Sequence, residues 1–204
     1  MNAPTRARMP WLRRRLVLLS VAVVACGHRC DRTDGVRAGA LLGSTDRVAV
    51  YDAGVGAYRA KDYATARRLW RRAADLGDHE AASNLGFLLY YGFGGRADSL
   101  AGAAFWRRAA AQQDAEAHRH LAQAIVDGDG RLGSLEDAYG HAVTARLLAL
   151  RPHELDGTNV AADAERLADA LAPRLTAAQR AAAERVGRQW AADTGRGRAI
   201  PGVR

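Results

Sequence analysis

Few residues in this sequence are of a type that does chemistry, and their spacing disqualifies most of them. Gly128-x-Gly130-x-x-Gly133 spells a dinucleotide-binding fingerprint. That motif needs a strand to feed the glycines, which then turn into a helix beneath a pyrophosphate. Here a helical stripe precedes them, so they read as a loop. Asp127 and Asp129 begin like a calcium loop, but Arg131 and Leu132 occupy the places of an oxygen ligand and the obligatory glycine. His118 and His120 stand two apart on a predicted helix, hence on nearly opposite faces, and cannot share a metal. His141 comes within reach of one of them across the chain, yet no carboxylate or cysteine set converges with it. These histidines are expected to face solvent or to be satisfied internally. The two cysteines are Cys26 and Cys30. A disulfide between them, or a metal site with His28, needs Cys26 unmodified and supplies at best three ligands. No serine sits in a nucleophile elbow. The sequence thus holds no catalytic constellation and calls for no metal or cofactor.

The charge is equally selective about where it lies. The formal net charge is +8, and Arg6, Arg8, Arg13, Arg14 and Arg15 supply five of those charges with no acid among residues 1–25. What remains is mixed in sign, which excludes the strong basic balance of a polyanion binder. Behind the arginines, Leu16–Ala25 is an apolar run of ten residues. A membrane-spanning helix needs about 20, so this run has the length of a signal-peptide core instead. Val23-Val24-Ala25-Cys26 resembles the bacterial lipobox. The resemblance implies cleavage before Cys26, lipidation of Cys26, and, with Gly27 following, sorting to the outer membrane. A plain secretory signal cleaved after Ala25 is the alternative. Export from the cytoplasm argues against nucleic acid as a partner.

The body of the chain repeats itself. Trp70-Arg71-Arg72-Ala73-Ala74 recurs 36 residues on as Trp106-Arg107-Arg108-Ala109-Ala110. The same shift takes Asp78 to Asp114, Ala81 to Ala117, Leu85 to Leu121, Gly92 to Gly128 and Gly94 to Gly130. A shift of 35 carries Ser99-Leu100 onto Ser134-Leu135 and Ala103 onto Ala138. Ala57-Tyr58 with Asp62-Tyr63 reads as a partial first copy with a shorter turn. Each unit predicts two helices. Ala81, Leu85, Leu88 and Leu89 make one buried stripe, and Tyr63, Ala66, Trp70, Ala73 and Ala74 another. Gly77 closes one helix and Asp78 caps the next. Such pairs expose apolar flanks that only neighbours can cover, so a short array must be capped. The cap is expected from Asn159–Ala172, with Val160, Ala164, Leu167 and Leu171, and from a helix opened by Thr176 and Gln179 that carries Ala182, Val186 and Trp190.

The pattern Ala81-x-x-x-Leu85-Gly86-x-Leu88-x-Tyr90-x-Gly92-x-Gly94, followed by Asp98 and Trp106-x-x-Ala109-Ala110, resembles the Sel1-like repeat, a relative of the tetratricopeptide repeat. The second unit is weaker, with Ala122 for the glycine. The third is degenerate, with His141 or Ala142 where tryptophan belongs. The resemblance implies an all-α fold: a short α/α solenoid of helix-turn-helix repeats with C-terminal capping helices. The expected division is signal peptide 1–25, flexible tether 26–45, solenoid 46–150, capping helices 151–193 and a disordered tail 194–204.

Two surfaces qualify as binding sites. Asn84, Phe87 and Tyr91 form a stripe rotated from the core stripe of their helix, matched one unit on by His120, Gln123 and Asp127. If the first helices line a concave face, these six residues floor a groove suited to a peptide. Arg67, Arg68, Arg71 and Arg72, joined by Arg107 and Arg108, form a basic face, either solvated with its stems on apolar surface or turned to an anionic envelope partner. The reading is a monomeric, lipid-anchored adaptor of the bacterial envelope, periplasmic at the outer membrane, that binds a protein or peptide and catalyses nothing. Two alternatives come from the resemblance: a cell-wall or β-lactam-related hydrolase, and a structural component of polysaccharide export. The hydrolytic subgroup pairs cysteines within each repeat, and residues 31–204 contain none.

Overall fold

The computed structural model describes residues 39–151 and 157–193. The signal segment, Cys26, Cys30, most of the tether and the tail lie outside the described residues. Within them the secondary structure is helical throughout: α1 (Arg47–Arg59), α2 (Tyr63–Asp75), α3 (His79–Tyr91), α4 (Ser99–Ala110), α5 (Ala115–Val126), α6 (Leu135–Ala149), α7 (Gly157–Leu171), a 3-10 turn (Ala172–Arg174) and α8 (Ala177–Ala192). Consecutive helices pack on one another from α1 to α6, and α7 and α8 both close onto α6, with α7 also reaching α5. This is an all-α solenoid with its last pair folded over one end.

The helices begin where short polar residues catch free amides. Asp46, Asp62, Asp78, Asp98 and Asp114 cap α1 to α5 by accepting from first-turn backbone N–H groups. Ser134 with Asp137 and Thr176 with Gln179 form full capping boxes on α6 and α8. Gly94 (φ +73°) permits a closer device. A Cβ there would lie 2.4 Å from the Tyr63 carbonyl carbon, so only glycine lets the loop after α3 fold over the start of α2.

The two repeated tryptophans occupy equivalent places. Trp70 is 3% exposed and Trp106 fully buried. Each lies against a glycine of the preceding helix. A Cβ on Gly54 would stand 2.4 Å from Trp70 Cδ1, and one on Gly86 2.5 Å from Trp106 Cδ1. Glycine therefore makes room for the indole as well as for the neighbouring backbone. The first copy is a true unit: Gly54 stands to Trp70 as Gly86 does to Trp106, behind a shorter loop. The copies differ in one bond. Trp106 Nε1–H donates to the Ser83 carbonyl at 3.1 Å, whereas buried Trp70 Nε1–H has no acceptor.

In the third unit Ala122 faces Ala142 without a tryptophan, and Leu167 from α7 joins them in a buried cluster. The cap thus supplies the bulk that the degenerate repeat lacks. Two expectations need correction. The tether ends before residue 45: Leu41 and Leu42 pack on the core, and Arg72 donates from Nε and Nη2 to the Ser44 carbonyl at 3.0 and 2.8 Å. On α8 the buried face is Ala183, Gly187 and Ala191, while Val186 is 38% exposed. The reason is a close crossing. A Cβ on Gly187 would lie 2.6 Å from the Gly140 carbonyl oxygen, and Thr144 Oγ1 bridges the two backbones by donating to Gly140 O (2.8 Å) or Gly187 O (3.1 Å).

The glycine–tryptophan contact is testable as a coupled pair. Gly54→Ala is expected to destabilise by about 1–3 kcal/mol through overpacking. Trp70→Leu is expected to cost a comparable or larger amount by leaving a cavity. In the double mutant the alanine should cost much less than it does alone, because the three atoms nearest its Cβ all belong to the indole. Urea denaturation of the four proteins measures this coupling; strict additivity would show that the indole does not require the glycine.

Candidate functional site

The first helices of the units, α1, α3 and α5, form one wall of the solenoid, and two open hollows run along it. One, of about 330 Å³, is lined by Tyr51, His79, Glu80, Ser83, Asn84, Asp114, Ala115, Glu116, Asn159 and Val160. The other, of about 390 Å³, is lined by Tyr51, Val55, Tyr58, Trp70, Asn84, Phe87, Glu116, Arg119 and His120. Tyr51, Asn84 and Glu116 belong to both, so they are two ends of one groove.

Of the six residues read from the sequence as its floor, Asn84, Phe87 and His120 line it. Tyr91 is 46% exposed and flanks it through Phe87, ring centroids 5.0 Å apart. Gln123 and Asp127 stand further along α5, outside the lining, where Gln123 Nε2 donates to Asp127 Oδ1 at 2.8 Å. Sequence reasoning missed α1 entirely. Tyr51, Val55 and Tyr58 recur at three- and four-residue spacing, and extending the stripe through the short first copy points to that helix.

The two ends of the groove differ in chemistry. Toward the C-terminal ends of α1 and α3 the rings form a chain: Trp70 to Tyr58 (5.5 Å), Tyr58 to Tyr63 (5.4 Å), Tyr63 to Phe93 (5.1 Å) and Phe93 stacked on Phe87 (5.5 Å). His120 continues it by stacking on Trp106 at 4.9 Å and 12°. Toward the N-terminal ends lie carboxylates. Asp114 accepts from Ala117 N–H and holds His79 Nδ1 at 3.0 Å, which pulls the imidazole above its ordinary pKa. Glu116 is paired with Arg119 Nε at 2.7 Å. Tyr51 lies between the ends, 3.5 Å from Asn84 Nδ2, its phenol pushed up by burial and by Glu80.

The arginines of the basic face bond along the seams between helices. Arg72 holds the Ser44 carbonyl. Its counterpart Arg108 reaches the Ala74 carbonyl at the end of α2 and sits 3.7 Å from Asp75. Arg67 donates to Arg96 O at 3.4 Å and Arg107 to Leu132 O at 3.1 Å, equivalent carbonyls in the loops of successive units. Arg71 lies over the Phe105 ring at 5.3 Å, and Arg68 bonds Thr65 Oγ1 at 3.0 Å. These contacts occupy much of the guanidinium valence on the protein itself.

The histidines are not solvent-facing. His118 and His141 are buried, with Nδ1 atoms 2.9 Å apart, and Trp190 of α8 covers the pair, 4.7 Å from the His141 ring. One Nδ1 donates and the other accepts, and burial disfavours a charge on either ring. Gly128 and Gly130 follow α5, a helix, in the place of the strand that a dinucleotide site requires. Among the described residues no group of three or more His, Cys, Asp or Glu is placed to hold a metal.

The chain is similar to a solved structure, a protective antigen present in uropathogenic Escherichia coli strains that displays a Sel1-like repeat fold. The TM-score is 0.61 at 25% identity, over 71% of this chain and 30% of that one. This chain thus spans under a third of that neighbour's length. No protein-family model matches the chain, and no curated protein is significantly similar to it in sequence. The chain has the Sel1-like repeat fold, an all-α helical-repeat solenoid.

The buried histidines give a pH signature. Burial pushes His118, His120 and His141 down to about 3, helped by His141 for the first and Arg119 for the second. An unfolded chain protonates these rings below about 6.5, whereas the folded one refuses the protons until near pH 3. Their contribution to stability is therefore complete above that unfolded value and is lost progressively as pH falls through the window. His79, raised by Asp114, acts in the opposite sense. The urea midpoint is expected to fall between pH 7 and pH 5; a midpoint constant over that range would contradict the buried neutral rings.

Proposed function

We propose that the protein is an exported, lipid-anchored adaptor that holds a helical-repeat groove at the outer membrane for a protein or peptide partner. The observation that carries the binding part is the groove along α1, α3 and α5, where exposed rings and the Asn84 amide lie beside unfilled space. Aromatic anchors with a few polar groups are the composition of energetic centres in protein interfaces. The location is supported by the basic lead, the ten-residue apolar run and the lipobox-like Val23–Cys26. No helix among the described residues is long and apolar enough to cross a membrane. Three acyl chains on Cys26 would anchor the protein durably, since each buried methylene contributes about 0.8 kcal/mol.

Anchoring converts modest affinity into occupancy by raising the local concentration of the groove at one surface. The basic face is then chiefly a set of seam clamps, with Arg68, Arg71 and Arg108 exposed to any anionic surface.

Two experiments test this. Metabolic labelling with a palmitate analogue should mark the wild-type protein and leave Cys26→Ala unmarked and released from the membrane fraction; equal partition of both would refute the anchor. A photo-crosslinker at Tyr51, Asn84 or Phe87 should trap one defined protein in cells, whereas the same group at Ala104, on the opposite side of its unit, should not. Identical products from all four positions would remove the groove from the mechanism.

A further inference from the structure

We infer that the groove selects a cationic peptide segment, one carrying an arginine or lysine beside an aromatic or bulky aliphatic residue. This rests on the peptide-groove reading above and specifies its ligand.

The charges around the groove are almost all accounted for except one. Arg119 is neutralised by Glu116 at 2.7 Å, Arg47 lies 3.7 Å from Asp78, and Asp114 is held by its own helix amide and by His79. Glu80 is exposed and lines the polar end beside the Tyr51 hydroxyl, its charge also felt by His79, and among the described residues no salt bridge holds its carboxylate. The dipole of α3 contributes about half a positive charge at its N-terminus, and His79 is matched to Asp114 at 3.0 Å, so neither offsets the Glu80 carboxylate in full. Tyr51 registers the resulting field, since Glu80 helps hold its phenol neutral. A chain of formal charge +8 thus presents a locally negative end in its groove.

The other end fixes the rest of the ligand. Tyr58, Phe87 and Trp70 offer ring faces and edges next to a hollow large enough for a side chain. Trp70 has, in addition, the one buried side-chain polar atom among the described residues without a partner, its Nε1–H. That donor is packed against Gly54 of α1, out of reach of the groove, so ring contacts alone hold the ligand at this end. Spanning from Glu80 to Phe87 takes two helical turns, about 11 Å. That is three or four residues of extended peptide, so one cationic and one apolar side chain a few positions apart bridge both ends.

The test is selection of displayed random dodecapeptides on the full chain purified in detergent, repeated on Glu80→Gln, Phe87→Ala and Tyr51→Ala. Helix content by circular dichroism verifies that each variant is folded. The expected result is enrichment of peptides pairing Arg or Lys with an aromatic or Leu/Ile residue within four positions. A recovered peptide, made synthetically, should bind Glu80→Gln about fivefold or more weakly than wild type, with the difference shrinking as salt is raised. Peptides that need Tyr51 and Phe87 but lack basic enrichment, or that bind Glu80→Gln equally well, overturn the cationic preference and leave the groove as a binding site. Peptides indifferent to all three substitutions, or no enriched peptide at all, overturn the groove reading itself.

Discussion

An indole seated on a glycine of the helix before it is the contact from which the rest of this structure follows. Trp70 on Gly54 and Trp106 on Gly86 set how closely second helices approach first helices in successive units. With that spacing fixed, α1, α3 and α5 run side by side and their outward stripes become one wall. A tryptophan buries a large apolar area at a single point, and the glycine lets it do so without spreading the helices. Where the pair is missing, between Ala122 and Ala142, the array can no longer continue in the same way. Leu167 and the folded-over α7–α8 pair close it there instead.

The same contact explains why the groove is aromatic at one end. Each indole is flanked by the last turn of its unit's first helix. The residues beside it are rings: Tyr58 by Trp70, and Tyr90 by Trp106 at 4.8 Å. Phe87, Phe93 and Tyr63 extend that packing to the surface. Groove wall and core are therefore one continuous aromatic layer, and His120 belongs to both, stacked on Trp106 below and lining the hollow above.

How much of this could be read from the residues depended on whether the signal was periodic. The tryptophans, the aspartate caps and the two capping boxes recur with the repeat, and the helices they define stand where the pattern puts them. Signals of another kind were missed. Gly187 and Ala183 carry little hydropathy, so the buried face of α8 was assigned to Val186 and its neighbours; a close helix crossing is encoded by absence of side chain, which hydropathy does not register. The α1 part of the groove was missed because the first copy lacks its tryptophan motif upstream and has a shortened loop. The His118–His141 pair joins α5 to α6 under a residue from α8, a three-body arrangement that no single-helix pattern contains.

The distribution of charge also has its origin in the repeat. First helices in a solenoid are parallel, so their N-termini share one edge, and each N-terminus favours an acid as cap or in its first turn. Asp78 with Glu80 and Asp114 with Glu116 satisfy that local rule twice. Translation by one unit then gathers those acids along a single rim. The arginines obey a different local rule, reaching from second helices to carbonyls at the seams, and translation repeats those clamps from unit to unit. A sequence that only solves helix capping and seam closure, unit by unit, thereby acquires a row of acids at the starts of its first helices and a row of arginines along its seams. On the proposed function, the selectivity of the groove would rest on acids such as Glu80, which no salt bridge among the described residues holds.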